Sequence, residues 1–299
     1  MDTWSPTAPC TPAGCVPRGA VPVALPRAVA RLVALTALLA AGAALAPLRR
    51  LVPDAWVRRW CRTLVRAAGV RVRVTGAAAP AGGLLLVADH VSWLDIPLLA
   101  AVRPARMVAK SEIRRWPVAG ALAARGGTLF IERDRPRALP GTVARIAGVL
   151  RAGAAVAVFP EGSTWCGRAR GRFRRAVFQA ALDAGVPVQP VRVRYRAGDG
   201  APATAAAFVG EDTLLASVWR VVSARHLSAE VDVLPAVPPG RHRDRRSLCA
   251  AARPGHAGGP AATLGHQNVA KSENICLCER SSVSPLPMRT TGGQAPEGG

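Results

Sequence analysis

The sequence predicts an α/β fold, in which a mixed, largely parallel sheet is flanked by helices and preceded by an N-terminal membrane-associating helical segment. Short apolar runs alternate with helical stretches between Gly83 and about Val237, as strands and crossover helices do. Runs such as Leu84–Ala88 are apolar at every position, which is typical of strands covered on both faces. Upstream of this region, residues 32–48 form an uncharged stretch of 17 residues.

The elements of the α/β region follow one another in a regular order. Apolar runs predict strands at Leu84–Ala88, Arg106–Ala109, Thr128–Glu132, Ala155–Phe159, Val188–Tyr195, Thr204–Val209 and Ala229–Leu234. Apolar residues at helical spacing predict helices at Ile96–Val102, Trp116–Ala124, Leu139–Arg151, Arg174–Ala184 and Thr213–Ala224. In such a sheet we expect functional residues in the loops at the ends of the strands.

The chain divides into four predicted segments. Residues 1–26 are rich in Pro, Thr and Gly and are predicted to be disordered. Residues 27–75 are predicted to be membrane-anchoring apolar and amphipathic helices, and residues 76–238 the α/β domain. Residues 239–299 are predicted to be a disordered low-complexity tail, because they are aperiodic and rich in Arg, Gly, Pro and Ser.

The uncharged stretch at 32–48 is flanked by Arg31 on one side and by Arg49 and Arg50 on the other. As a helix it would be roughly 26 Å long, at the lower edge of what crosses a bilayer. A short span, a re-entrant segment and an in-plane anchor all fit this length. A cleavable signal peptide is the rival interpretation, but Pro47 and the basic residues that follow disfavour export.

Residues 54–68 read as an amphipathic helix that follows this stretch. Trp60 and Val65 belong to an apolar face, whereas Arg58, Arg62 and Arg66 form a separate stripe. An interfacial membrane helix has this pattern, and so does a helix that packs on a core with its charged side in solvent.

The charge of the chain suggests a polyanionic partner. The sequence has 40 basic and 18 acidic residues and a formal net charge of +22. Nucleic acid and an anionic membrane both fit that charge. All but two of the cations are Arg, the exceptions being Lys110 and Lys271, so part of the excess is consistent with codon bias. The seven cysteines have no paired spacing, and we therefore predict neither a disulfide framework nor a metal site.

His90 and Asp95 follow the strand Leu84–Ala88 with four residues between them. If the turn folds back, the carboxylate accepts from one ring nitrogen and leaves the other free to take a proton. The alternative is a loop histidine followed by an aspartate that caps the next helix.

Three further blocks follow in order. They are Gly127-Thr128-Leu129-Phe130-Ile131-Glu132-Arg133, then Phe159-Pro160-Glu161-Gly162-Ser163, then Val186-Pro187-Val188-Gln189-Pro190. With His90 and Asp95 they resemble the four ordered motifs of the glycerolipid acyltransferase family, which acylates 1-acyl-glycerol-3-phosphate or other lysophospholipids. The resemblance covers roughly residues 50–235. One departure is Ser163-Thr164-Trp165 after the FPEG turn, where relatives commonly have Thr-Arg-Ser.

The resemblance implies transfer of a fatty acyl group from acyl-CoA or acyl-carrier protein to a lysophospholipid acceptor, lysophosphatidic acid first. His90 would be the general base and Asp95 its orienting partner. The acceptor would be held by Arg133, Glu161, Gly162, Gly127 and Lys110. No cofactor and no metal are expected. The expected location is the cell membrane, with the catalytic domain on the cytoplasmic face and an anionic membrane surface as partner.

Three alternatives stay open at the level of sequence. The acceptor could be another lysolipid, such as a lyso-aminolipid. Ser92 or Cys166 could act as a nucleophile in an acyl-enzyme route. The charge alone would also fit a noncatalytic binder of membranes or nucleic acid, although the position of the Arg clusters, next to the apolar segment and after the FPEG turn, makes nucleic acid an unexpected partner.

Overall fold

A computed structural model describes residues 8–16, 25–78, 81–116, 119–132 and 135–253. Within these residues the strands are β1 Arg71–Thr75, β2 Leu84–Ala88, β3 Arg106–Lys110, β4 Leu129–Ile131, β5 Ala155–Val158, β6 Val188–Arg196 and β7 Ser228–Val233. The α-helices are α1 Pro12–Cys15, α2 Leu25–Leu45, α3 Asp54–Ala67, α4 Asp95–Val102, α5 Ala119–Arg125, α6 Leu139–Arg151, α7 Ala176–Ala184, α8 Leu214–Ser223 and α9 Arg245–Ala251.

The described strands form one sheet in the order β1-β7-β6-β2-β5-β3-β4. Every neighbouring pair is parallel except β6 and β7, which are antiparallel. The prediction of a mixed, largely parallel sheet is therefore confirmed. β2, β5, β3 and β4 run in the same direction, so their carboxyl ends lie along one edge.

Both faces of the sheet are covered, because side chains alternate across it. Leu84 and Leu86 belong to one core cluster with residues of α3, α4 and α8, whereas Leu85 and Val87 belong to a second with residues of α6, α7 and α9. All five residues of β2 are buried, as the continuous apolar run predicted.

One predicted strand is wrong and one strand was missed. Residues 204–209 are irregular, because their carbonyl groups find partners outside any ladder: Arg220 donates to Ala205 and Ala207. The missed strand is β1, which lies at an edge of the sheet. Its alternating Arg residues were assigned to the basic stretch that precedes the α/β region. It belongs to the sheet, although it lies inside the predicted membrane-anchoring segment at 27–75.

Both predicted disordered termini contain packed residues. Cys10 and Cys15, inside the segment 1–26, are buried, and so are Leu248 and Cys249 of α9, inside the segment 239–299. Composition did not indicate these contacts, because few of the described residues in each segment are buried. Residues 1–7, 17–24 and 254–299 lie outside the described residues.

The predicted apolar segment is helical and begins earlier than expected. Residues Leu25–Leu48 form a helical stretch of 24 residues that is long and apolar enough to cross a membrane, with 11% of its apolar window buried. Near its start, Arg31 donates to the carbonyl groups of Val222 and Ala224 at the end of α8. This contact satisfies carbonyls at a helix terminus and ties α2 to the domain.

The amphipathic pattern of α3 has two uses in the structure. Its apolar face packs inward, with Cys61 and Val65 buried, as the core-packing interpretation expected. The Arg stripe lies on the solvent side of the helix. Trp56 in the first turn of α3 and Leu51 just before the helix are also exposed, at 69% and 79% accessibility. An exposed apolar tip beside cations is typical of a surface that meets lipid.

Candidate active site

His90 lies in the loop that follows β2, the strand between β5 and β6. The carboxyl ends of parallel strands point to one edge of the sheet, and loops there are free to carry functional groups. The loop folds back on itself because Asp95, the first residue of α4, accepts from the backbone N–H groups of Val91 and Ser92 over 2.7 and 2.8 Å. This return of the chain brings the carboxylate to the histidine ring.

The two side chains form a hydrogen bond of 2.9 Å between His90 Nδ1 and Asp95 Oδ2. Asp95 is fully buried, and its other oxygen, Oδ1, accepts from the Tyr195 hydroxyl over 2.6 Å. Because a carboxylate oxygen only accepts, Nδ1 is the ring nitrogen that carries the proton in this hydrogen bond. Nε2 then remains as the nitrogen that can accept a proton from a bound hydroxyl.

Phe159 and Trp165 fix the position of the histidine from the neighbouring FPEG loop. The Phe159 ring stacks on the imidazole with centroids 3.8 Å apart and planes 8° apart. The backbone N–H of Trp165 donates to the His90 carbonyl over 2.7 Å. The ring therefore has one orientation, set by packing on one face and by Asp95 at Nδ1.

Glu161 connects the loop that carries His90 to the chain that follows the FPEG turn. Its Oε2 accepts from the His90 backbone N–H over 2.9 Å, and its Oε1 accepts from the Gly171 N–H over 2.7 Å. Burial raises the pKa of Glu161 to about 8, although these two N–H donors act in the opposite direction. Both oxygens accept from the protein backbone, so the side chain joins two loops, and its contact with the acceptor stays a prediction.

The remaining predicted residues are distributed along the sheet. Gly162 forms the tight turn after β5, with φ +81°. Lys110 ends β3, level with Ile131 of β4, and so lies at the same edge as His90 but two strands away, at a distance of about 10 Å. Arg133 lies outside the described residues.

Gly127 does not belong to this edge. It lies before the amino end of β4, with φ +73°. Its N–H donates to the Ala124 carbonyl, and the Thr128 N–H donates to Ala123, which is how helices end on a left-handed residue. A turn therefore accounts for the glycine at this position, and its contact with the acceptor stays a prediction.

Sequence reasoning missed Tyr195, whereas Arg170 belongs to the Arg cluster after the FPEG turn that the sequence offers for phosphate contacts. Tyr195 lies on β6, 100 residues from Asp95, and it is the only tyrosine of the chain, at an inward position of an alternating strand. Burial and the adjacent Asp95 carboxylate raise the pKa of its hydroxyl well above the ordinary value, so it stays a donor. Arg170 lies with its Nε 3.7 Å from Asp89 Oδ2.

A cleft opens beside the histidine. Its lining includes Asp89, His90, Glu161, Arg170, Arg194 and Tyr195. Burial raises the pKa of Asp89, and the nearby Arg170 and Arg192 partly oppose this. The cleft thus places the His90 imidazole beside several guanidinium groups.

An α/β sheet with a histidine–aspartate pair beyond a central strand is the architecture of acyltransferases, and the family model described as Acyltransferase matches residues 71–194. The lyso-ornithine lipid O-acyltransferase of Pseudomonas aeruginosa is 40% identical over 66% of this chain and 74% of its own length. The 1-acyl-sn-glycerol-3-phosphate acyltransferase of Neisseria gonorrhoeae is 38% identical over 56% of this chain and 65% of its own length. The chain therefore belongs to the glycerolipid acyltransferase family.

A solved structure agrees with this fold. The 1-acyl-sn-glycerophosphate acyltransferase of Thermotoga maritima superimposes with a TM-score of 0.50 over 76% of this chain and 94% of its own, at 18% sequence identity. At that identity the likeness concerns the fold alone.

Proposed function

We propose that the protein transfers a fatty acyl group from an acyl thioester to the free hydroxyl of a lysolipid, with His90 as general base. The observation that carries this proposal is the 2.9 Å bond between His90 Nδ1 and Asp95 Oδ2. A lipid hydroxyl has a very high pKa, so it needs a base within hydrogen-bond reach as it attacks the thioester.

The reaction follows from this arrangement. The acceptor oxygen forms a bond to the thioester carbonyl carbon while its proton passes to His90 Nε2. Asp95 stabilises the imidazolium that results, because its carboxylate stays within 2.9 Å of Nδ1. The carbon–sulfur bond then breaks, and the imidazolium returns the proton to the departing thiolate. The products are an ester and a free thiol.

Lysophosphatidic acid is the first candidate acceptor, with phosphatidic acid as product. Five exposed arginines follow the FPEG turn, namely Arg168, Arg170, Arg172, Arg174 and Arg175. Arg170 also lines the cleft beside His90. Guanidinium groups pair well with phosphate oxygens, and Arg133 is proposed to add another such contact by analogy with the family.

A lyso-ornithine lipid is the second candidate acceptor. Two observations favour it: the identity with the Pseudomonas aeruginosa relative, and the absence of the usual Arg after the FPEG turn. The residue in that place is Thr164, whose hydroxyl donates to the Phe208 carbonyl and so serves the loop. A zwitterionic headgroup needs fewer cations than a phosphate does.

The donor is proposed to be acyl-CoA or acyl-carrier protein, and the reaction is proposed to take place at the cytoplasmic face of the cell membrane. The helix Leu25–Leu48, the exposed Leu51 and Trp56, and the Arg stripe of α3 support contact with an anionic bilayer.

The test is a panel of donors and acceptors assayed with membranes that contain the wild type, His90→Ala or His242→Ala. His242 is the matched control, because it follows Val237, which bridges to Val188 at the opposite edge of the sheet. We expect His90→Ala to lower acyl transfer at least about 100-fold, the smaller contribution of a general base, and His242→Ala to leave it unchanged. Full transfer by His90→Ala would overturn the mechanism, and the preferred acceptor decides between the two lipids.

A further inference from the structure

Two cysteines of the amino-terminal segment meet a third from the chain after the FPEG turn. Cys10, Cys15 and Cys166 are all buried, and their sulfur atoms lie within 4.8 Å of one another. Sulfur ligands around one tetrahedral zinc ion stand about 3.8 Å apart, as follows from a zinc–sulfur distance of about 2.3 Å. No disulfide joins them. The sequence predicted no metal site, because the spacing along the chain hides this cluster.

The surroundings of Cys166 suit a thiolate ligand. The backbone N–H groups of Arg168 and Ala169 and the thiols of Cys10 and Cys15 form hydrogen bonds with its sulfur. Gly167, with φ +85°, makes the turn that directs these N–H groups back to the sulfur. Hydrogen bonds to the sulfur are the kind of surrounding contact that orients metal ligands.

The segment that supplies Cys10 and Cys15 packs on the domain through small side chains, with Ala8 and Val16 partly buried against the core. Of residues 8–16, only these two cysteines are buried. Its backbone packs directly on Gly210, where a Cβ atom would lie 2.9 Å from the Cys10 carbonyl oxygen. Ordering a chain segment costs conformational entropy, and small buried side chains offset little of that cost. A shared metal ion would add a further attachment between this segment and the chain around Cys166.

We propose that Cys10, Cys15 and Cys166 bind one zinc ion, which attaches the amino-terminal segment to the loop after the FPEG turn. The ion replaces thiol protons, which are released, and no electron is transferred. Three thiolates fill three of the four tetrahedral positions, and a nitrogen or oxygen donor fills the last. The attached loop is the one whose Trp165 N–H bonds the His90 carbonyl, so the ion would stabilise the wall of the cleft.

The test begins with the full chain, purified in detergent with a phosphine reductant from cells grown with added zinc. We expect about one zinc ion per chain by elemental analysis. After exchange for cobalt, we expect the thiolate-to-metal absorption of tetrahedral cobalt, and X-ray absorption should show three sulfur neighbours. These measurements need no variant and no activity assay, so they stand apart from the test of the acyltransferase mechanism.

Variants then assign the ligands. Cys10→Ser, Cys15→Ser and Cys166→Ser should each weaken zinc binding at least about tenfold, the smallest cost of disturbing even an outer contact of a metal site. Cys61→Ser and Cys249→Ser are the matched controls, because both side chains are buried outside the cluster, and they should keep the metal. Wild-type protein without zinc or cobalt binding, or with a disulfide between two of the three cysteines under these reducing conditions, would overturn the proposal.

Discussion

The Tyr195 hydroxyl donates to Asp95 Oδ1 over 2.6 Å, on the carboxylate oxygen that His90 does not use. A strand residue 100 positions downstream thus holds the carboxylate that orients the proposed base. Asp95 and Tyr195 are both buried. A second hydrogen-bond donor on the carboxylate limits the rotation of the Asp95 side chain. The histidine–aspartate pair is therefore part of a three-residue chain of hydrogen bonds.

Tyr195→Phe removes that donor and keeps the ring. A hydrogen bond to a charged group contributes about 1.5 kcal/mol, so we expect kcat to fall about tenfold, with the KM for the acceptor unchanged. Steady-state kinetics of thioester consumption measure both. The control is Thr142→Val, which removes a buried hydroxyl that bonds the Ala138 carbonyl in α6. Equal kcat for Tyr195→Phe and wild type would contradict the role of Tyr195.

The raised pKa of Glu161 leads us to expect that the stability of the fold depends on pH. Burial raises its pKa to about 8 from the ordinary 4.5. Between these pH values the folded protein keeps a proton that the unfolded chain has lost, so the contribution of Glu161 to the free energy of unfolding is largest below about pH 4.5 and falls as pH rises to about 8. Glu161→Gln cannot titrate and should show a flatter profile.

Denaturant midpoints at several values between pH 5 and about 8 measure this slope, and a difference on the order of a few kcal/mol is expected over the range. The change of the unfolding free energy with pH is the quantity to compare between variants. Its absolute value will also fall in Glu161→Gln, because the amide nitrogen cannot accept from the N–H of His90 or Gly171. Glu211→Gln, at an exposed position, is the control and should keep the wild-type slope. Parallel profiles for wild type and Glu161→Gln would show that this carboxyl titrates normally.

Gly127→Ala distinguishes a turn residue from a binding residue. Its φ of +73° disfavours a side chain, so we expect a loss of about 1–2 kcal/mol in unfolding free energy. The acceptor KM should not change, because Gly127 lies at the far edge of the sheet. Gly141→Ala is the control: a Cβ there meets nothing within 4 Å, and the helical position should gain up to about 1 kcal/mol. A raised acceptor KM in Gly127→Ala would instead support acceptor binding by Gly127, as the family resemblance implies.

Substitution of Arg59 and Arg66 tests whether the Arg-lined surface of α3 binds anionic membranes. Both are exposed on α3, on the Arg-lined side that also carries Arg58 and Arg62. Each basic residue near an anionic bilayer contributes about 1 kcal/mol, so the double variant Arg59→Gln/Arg66→Gln should bind phosphatidylglycerol vesicles about tenfold to thirtyfold more weakly. Sedimentation with vesicles at low salt measures this.

The control for membrane binding is Arg243→Gln/Arg246→Gln, which removes two exposed arginines outside the α3 surface. It should bind vesicles like the wild type, and added salt should reduce the difference between the two double variants. Equal weakening in both variants would indicate that net charge, and not the α3 surface, determines binding.

Local elements could largely be predicted from the sequence. The apolar run of β2, the helical spacing of α6 and the His90–Asp95 separation each depend on residues that are close in the chain. Periodicity reports which face of an element is buried, so these predictions agree with the structure. Where the partner was distant the predictions failed, as at residues 204–209, whose carbonyl groups are satisfied by Arg220.

The sequence by itself determined the class of fold and the order of the four motif blocks, and it suggested His90 as base through the family resemblance. Only the tertiary structure decided which of those blocks meet: the strand order β2-β5-β3-β4 brings His90, the FPEG turn and Lys110 to one edge and leaves Gly127 at the other. It also decided that Tyr195 reaches Asp95 and that Cys10, Cys15 and Cys166 lie together. The physical reason is that these contacts join residues far apart in the chain, and packing of buried surfaces, not local spacing, selects them.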